Sequence, residues 1–434
     1  MNAKALVRED LAHIWHPCTQ MKDHETLPLL PIKSGEGIYL FDFDNNAYID
    51  GVSSWWVNLF GHCHPYINQK IKEQIDTLEH VIFAGFTHEP IVRLSQRLCA
   101  LSPQGLEKCF YADNGSSAIE VALKMSFQYF KNRGEKRPFF VSLQNSYHGE
   151  TIGALAVGDV KLYKEVFEDI LLQTLQAPVP KDQSEEAALE AALALEAIFQ
   201  EHRGKIAAFI IEPLVQCAGG MHMYHPLYIK RARTLCDAYD IHLIADEIAV
   251  GFGRTGKMFA CEHAGVSPDF MTLSKGLTGG YLPLSVVLTT QNVYDAFYCD
   301  YSEFKAFLHS HSYTGNPLAC SAANATLDIF ENESILEKNR EKIAFMASKL
   351  DAFQQLKNVR SIRQMGMIAV VELDEYPIDF RVNLKIFTYA LRHGVILRPL
   401  GNVVYFMPPY VITCKEIETM MNVAYEAILS LNTL

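Results

Sequence analysis

The stretch Ile241–Gly276, IHLIADEIAVGFGRTGKMFACEHAGVSPDFMTLSKG, decides the fold. It contains two short runs, Ile241–Asp246 and Phe270–Ser274, that are apolar throughout rather than alternating. Runs of this kind form strands covered on both faces. The first ends on Asp246-Glu247 and the second on Lys275, 29 residues after Asp246. In an open α/β sheet, residues just past the carboxyl ends of strands line the ligand crevice. A part-buried ammonium there is costly unless it is paired or chemically used. Two readings therefore stand, an Asp246–Lys275 salt bridge or a catalytic lysine facing a carboxylate. Between the runs lies Gly251-Phe-Gly253-Arg-Thr-Gly256, a literal GxGxxG. In a dinucleotide fold the first glycine ends the strand directly and an acidic residue ends the next strand. Here Glu247–Val250 intervene and Asp269 precedes its strand, so the motif reads as a close-packed turn.

Outward from this stretch the theme repeats. Short apolar runs occur at Lys108–Asp113, Phe139–Leu143, Ile206–Glu212 and Leu284–Thr289, separated by helix-compatible segments. Ile119, Ala122, Leu123, Phe127 and Phe130 share one helical face, and Glu185–His202 reads as an Ala/Glu/Leu helix with a solvated charged face, stopped by Gly204. The pattern predicts an α/β sheet with helices on both faces. After about Ala325 come charged helical sequence, prominent at Glu331–Leu356, an alternating segment Ile368–Leu373 and a strand-like Val403–Met407. These predict a smaller α+β domain, which a hairpin of Ile38–Phe43 and Ala47–Asp50 would join. The expected organisation is an N-terminal segment 1–60, a large domain 61–325 and a small C-terminal domain 326–434.

Composition excludes other classes. The 434 residues are 49% hydrophobic and 20% charged, which rules out global disorder and a disulfide-stapled miniprotein. Lys and Arg total 38 against 50 acidic residues, for a net charge of −12, and basic runs such as Lys131–Arg137 are short; neither nucleic acid nor an anionic membrane is an expected partner. Ten cysteines scattered from Cys18 to Cys414 without a CxxC pair read as reduced, mostly buried thiols. The N-terminus lacks a secretory h-region, and Glu212 interrupts the longest apolar stretch, Ile206–Val215, so a cytoplasmic chain without a membrane span is expected.

Two further motifs carry chemistry. Asn114-Gly115-Ser116-Ser117, between a strand and a helix, presents free N–H groups and a positive dipole end to an anion; Ser117 and Glu120 also match a capping box. A glycine turn, a carboxylate and a lysine at three strand ends match the needs of pyridoxal phosphate: phosphate at the helix end, pyridinium proton on Asp246, aldehyde on Lys275. His62-Cys63-His64 and His309-Ser310-His311 have metal-compatible spacing, but no third ligand is identifiable, and no metal is expected. Trp55-Trp56 reads as core aromatics or as the wall of a ligand site.

At these residues the sequence resembles the class III, fold-type I pyridoxal-phosphate aminotransferases, nearly end to end. The matching segments are His13-Ile-Trp-His-Pro17, Gly51–Asn58, Asp113–Val121, Tyr147-His148-Gly149, Ile210–Met223, Leu243–Glu262, Leu273–Gly280 and Gly315–Ala319. The Trp pair, Ile-Trp-His-Pro and Ala249 resemble the members that serve biotin biosynthesis. The resemblance implies a large domain with a mostly parallel seven-stranded sheet covered by helices, plus a small domain built from both chain ends. It implies that Lys275 holds the cofactor aldehyde and moves the Cα proton, that Asp246 pairs with the pyridine nitrogen, and that Tyr147 packs on the ring or reaches the substrate. Gly115 and Ser116 would bind the phosphate, with His311 nearby and Ser312 contributed by a second subunit, hence a homodimer. Trp55, Trp56, Ser310, Arg398 and Cys18 would line the substrate pocket, Arg398 taking a carboxylate in its planar fork.

The implied reaction is ping-pong transfer of an amino group from S-adenosylmethionine to 8-amino-7-oxononanoate, giving 7,8-diaminononanoate. The chain departs from the family pattern at two places. Cys18 stands where an aromatic residue is usual, and His309–Thr314 reads HSHSYT where the familiar pattern is His-Gly-Pro-Thr-Phe-Met. Some members that resemble the second segment use lysine as donor. The alternatives are that donor, another class III ω-aminotransferase, a nucleotide-binding oxidoreductase built on the Gly251 turn, and a non-catalytic binding protein.

Overall fold

A computed structural model of the chain describes residues 2–431. The last three residues of the segment expected at 326–434 lie outside it. Seven strands form the central sheet: β1 (Leu106–Ala112), β2 (Phe139–Leu143), β3 (Leu175–Ala177), β4 (Ile206–Ile211), β5 (His242–Asp246), β6 (Phe270–Leu273) and β7 (Ser285–Thr290). Their order is β1-β7-β6-β5-β4-β2-β3. All pairings are parallel except those of β7, which runs antiparallel to β6 and to β1. Every residue of β4, β5 and β6 is buried, which is why their sequences are apolar without alternation. Each fully enclosed Ile, Leu or Phe there stabilises the fold by about 1.5–3 kcal/mol.

Helix Gly115–Asn132 covers one face, packing Ile119, Ala122 and Phe130 on Ile210, Ile244 and Val287. On the other face, helix Glu185–Glu201 begins with Ser184 accepting the Ala187 N–H (3.1 Å) and buries an alanine-rich stripe ending in Leu195 and Phe199. Its chain leaves through Gly204 at φ +73°, a backbone only glycine adopts freely.

Two smaller sheets complete the architecture. Ile32–Glu36, Tyr39–Asp42 and Ala47–Asp50 form an antiparallel sheet to which Val395–Ile396 adds in parallel, joining the two ends of the chain. Val359–Met365, Ile368–Leu373 and Val403–Phe406 form a three-stranded antiparallel sheet. Three expectations are corrected here. Ile368–Leu373 is buried on both faces rather than alternating, because both hydrophobic clusters draw residues from it. The expected helix across 331–356 is broken at Ser334 (φ +50°) into Pro317–Glu333 and Ile335–Leu350. The thiols are not mostly buried: Cys217, Cys236, Cys261 and Cys320 are, whereas Cys18, Cys63 and Cys299 are exposed.

The GxGxxG segment is a turn after β5, followed among the described residues by one short 3₁₀ helix, Ala260–His263, and no α-helix before β6. Arg254 within it is 1% exposed and donates to the carbonyls of Pro408 (2.7 Å) and Asn58 (3.2 Å), its guanidinium 4.9 Å from the Tyr410 ring. A Cβ on Gly253 (φ +88°) would meet Leu336 at 2.8 Å. These glycines serve close packing around a buried arginine, not a dinucleotide. No helix among the described residues is long and apolar enough to cross a membrane.

Candidate active site

A cavity of about 740 Å³ opens at the carboxyl edge of the sheet. It is lined by the segments after β1 (Asp113–Ser116), β2 (Tyr147–Thr151), β5 and β6, and by Gly280–Leu284 ahead of the antiparallel β7. Crossing strands from both directions thus brings Trp56, Gly115, Ser116, Tyr147, Asp246 and Lys275 together, as the sequence led us to expect.

Asp246 and Lys275 are not a salt bridge. Asp246 is 4% exposed and accepts from His148 Nδ1 (2.7 Å), while its other oxygen takes the Ile248 N–H (3.1 Å). Among the described residues no ion pair within 4.0 Å joins Lys275 to a carboxylate. Its Nζ lies 5.1 Å from the centre of the Trp56 ring. Enclosure pushes the Lys275 pKa down, opposed by the field of Asp246, Cys217 and Glu212. Lys275 also holds φ +43°, a strained conformation of the kind found at functional sites.

At the opposite wall, Asn114 caps the helix that starts at Gly115, its Oδ1 accepting the Ser117 N–H (3.0 Å). The Ser117–Glu120 capping box does not form. The cap sits three residues earlier, at Asn114, and Glu120 instead accepts from Thr151 Oγ1 (2.6 Å) and the Gly153 N–H (2.7 Å), tying the helix to the β2 loop. Ser116 bonds Thr151 (2.9 Å). An added Cβ would strike Ile248 at 3.0 Å from Gly115 and the Ser116 hydroxyl at 2.5 Å from Gly149, so both glycines keep this end of the cavity open.

A second group forms the rim. Tyr147 donates to Glu150 Oε1 (3.0 Å), and Cys18 Sγ lies 4.0 Å from the same oxygen. Arg398, which is exposed, reaches to 3.5 Å of the Cys18 carbonyl and stacks 4.6 Å from the Trp55 ring. Burial, with Glu150 nearby, raises the Tyr147 phenol far above its usual range, so it acts as a neutral donor. Trp55, Cys18 and Arg398 lie outside the cavity lining but within one cluster at its mouth. Ser310, His311 and Ser312 are also outside the lining. His311 Nδ1 bonds Asp113 (2.8 Å), which does line it, and Ser310 and Ser312 are exposed.

Sequence reasoning missed His148, Glu150 and Glu212. Glu212, 4% exposed, accepts the N–H groups of Tyr147 (2.9 Å) and Cys217 (3.0 Å), one on each oxygen. Its signal was available, as the charge that ends the otherwise apolar run Ile206–Glu212. Burial pushes it up to about 7, helped by Asp246 and opposed by His148 and the two N–H groups. Burial likewise lifts Glu247 to about 7 against the N–H groups of Ala260 and Cys261, and drops His242 to about 4.

The signs give a prediction for the apoprotein. The two carboxyls hold protons in the folded state that the unfolded chain releases from about 4.5 upward, so their contribution is full at low pH and is lost as pH rises through about 7. The His242 contribution is present above about 6.5 and is lost as pH falls toward 4. Two groups outweigh one. Urea unfolding should show lower stability at pH 7.5 than at pH 5.5, and the Glu247→Gln variant should show a smaller drop.

The fold and this site define a class. A class III aminotransferase model matches residues 20–428, and the chain belongs to that family. It is a pyridoxal-phosphate-dependent transaminase. It is 52% identical to the adenosylmethionine-8-amino-7-oxononanoate aminotransferase of Helicobacter pylori over 94% of each chain, and 45% identical to that of Geobacter sulfurreducens over 95% of each. The crystal structure of the Methanocaldococcus jannaschii enzyme of the same name superposes with a TM-score of 0.95 at 38% identity, covering 99% of each chain. An ω-transaminase of Pseudomonas jessenii in complex with PMP superposes at 0.92 with 29% identity, covering 99% of this chain and 98% of that one.

Proposed function

We propose that the chain transfers an amino group from S-adenosylmethionine to 8-amino-7-oxononanoate, making 7,8-diaminononanoate for biotin synthesis. The observation that carries it is the placement of a Lys275 ammonium free of ion pairs at one end of a Trp-walled site whose rim carries Arg398. That arrangement suits a substrate with a reacting centre at one end and a carboxylate at the other. The names of the relatives support the same substrate pair.

The residues fit pyridoxal phosphate. The open helix end at Gly115–Ser116 suits a dianionic phosphate, Asp246 suits a protonated ring nitrogen, and Lys275 suits an aldehyde. When bound, the cofactor supplies an aldehyde that accepts the amino group and a ring that draws electrons from the substrate Cα–H bond. Lys275 takes the proton from Cα and returns it, which its lowered pKa favours. His148 donates to Asp246 and holds the carboxylate in place. Tyr147, anchored through Glu212, presents its hydroxyl to the substrate side. Arg398 holds the acceptor carboxylate, and Glu150, a carboxylate of the same rim cluster, suits a substrate ammonium.

The same proposal includes a cytosolic homodimer in which Ser312 completes the phosphate site of the second subunit, and the domain limits at residues 60 and 325. Among donors, S-adenosylmethionine alone should convert the bound cofactor to its amine form, seen as a change in its visible absorbance; conversion by lysine and not by S-adenosylmethionine would overturn the donor assignment. The Arg398→Ala variant should raise KM for 8-amino-7-oxononanoate by about 10- to 100-fold, the scale of 1.5–3 kcal/mol for a hydrogen bond to a charge. An unchanged KM would remove the arginine from the site.

A further inference from the structure

We propose that Asp50, with His62 and Ser54, is a positioning device that holds Ser53–Trp56 in a left-handed turn and thereby sets the spacing between Lys275 and Arg398. The inference rests on the roles proposed for those two cations. Four consecutive non-glycine residues have positive φ: Ser53 (52°), Ser54 (45°), Trp55 (73°) and Trp56 (71°). L-residues avoid this region, and a run of four persists only where the surroundings over-determine it.

The restraints are specific. One Asp50 oxygen accepts the Ser54 N–H (2.9 Å) and the other accepts the Ser54 hydroxyl (2.7 Å) and His62 Nε2 (3.0 Å). The far ring nitrogen of His62 contacts Asn58 (3.1 Å), just beyond the turn. Asp50 is 1% exposed, so these bonds are shielded from competing water. The Ser53 hydroxyl is fastened to the Met407 carbonyl (2.7 Å) and Trp56 Nε1 to the Tyr405 hydroxyl (3.1 Å).

The consequence lies in what the two indoles touch. Trp56 faces Lys275 at 5.1 Å and Trp55 faces Arg398 at 4.6 Å, both within cation–π range. Adjacent residues of one turn therefore contact the cation at each end of the proposed substrate path. A right-handed or extended backbone would send the two rings elsewhere. The turn acts as a gauge for the distance a substrate must span between its reacting carbon and its carboxylate.

The test uses the cofactor-loaded enzyme and begins with the Asp50→Asn variant. It should raise KM for 8-amino-7-oxononanoate strongly, lowering kcat/KM by about 10- to 100-fold as expected for misplacement on the ångström scale, with kcat changed much less. Near-UV circular dichroism of the indoles should change in the same variant without cofactor turnover. Adding Ser54→Gly should rescue both signals, because glycine takes the left-handed backbone without a side-chain conflict. If Asp50→Asn does not fold, His62→Ala removes one restraint from the same carboxylate and should shift KM and the indole signal in the same direction. Unchanged KM and indole signal would overturn the proposal, as would a uniform loss that Ser54→Gly fails to rescue. Failure of the functional reading would look different: wild-type enzyme would not turn over the acceptor at all.

Discussion

The Lys275→Ala variant is expected to lower transamination by about 10²- to 10⁴-fold from the lost proton transfer alone, with a further loss because the amine that holds the cofactor is gone. The effect should be large because the site offers no substitute. Among the described residues Lys275 is the one Lys or Arg on the cavity lining, and Arg254, nearby in the chain, is committed to backbone carbonyls. Borohydride reduction of the wild type should fix the cofactor to the peptide carrying Lys275, and reduction of the variant should fix none. Folding should survive, since among the described residues no ion pair within 4.0 Å joins this ammonium to a carboxylate.

The Asp246→Asn variant should be nearly as severe, by a different route. A charge pair about 4 Å apart near a protein surface interacts by about 4 kcal/mol, close to three decades of rate at about 1.4 kcal/mol per tenfold. Asparagine keeps the shape and can still accept from Ile248, but it cannot hold the ring proton as a carboxylate does. It also turns an amide or a neutral oxygen toward His148 where a carboxylate stood at 2.7 Å. The expected signature is a kcat reduced about 10³-fold with cofactor still attached to Lys275. An Asp246→Asn variant with near wild-type kcat would take the carboxylate out of the chemistry.

The parts of this arrangement that were legible in sequence are those whose physics is local. Strands enclosed on both faces must be apolar throughout, so β2, β4, β5 and β6 stood out within a residue or so of their ends. Asp246 and Lys275 stood out because charged residues ending such strands need an explanation. The edge strand β3, only three residues long, lacked enough pattern to be seen among the runs, although the family resemblance implied a seventh strand. The break at Ser334 and the left-handed Ser53–Trp56 turn were invisible because no glycine marks them; the turn is held by bonds from Ser53 to Met407 and from Ser54 to Asp50, not by local propensity. The same holds for Glu120, whose capping role at the helix start gave way to bonds from a loop 31 or more residues away. The rim cluster joins Cys18 to Arg398 across 380 positions, a proximity that only the joining of the chain ends produces.

The most direct measurement is of product. Incubating cofactor-loaded enzyme with 8-amino-7-oxononanoate and S-adenosylmethionine, and following 7,8-diaminononanoate by mass spectrometry, should give parallel double-reciprocal lines as each substrate is varied, the pattern of one site used in turn. Absence of the diamine with every amino donor tried, from an enzyme that carries cofactor on Lys275, would contradict the assignment of this acceptor.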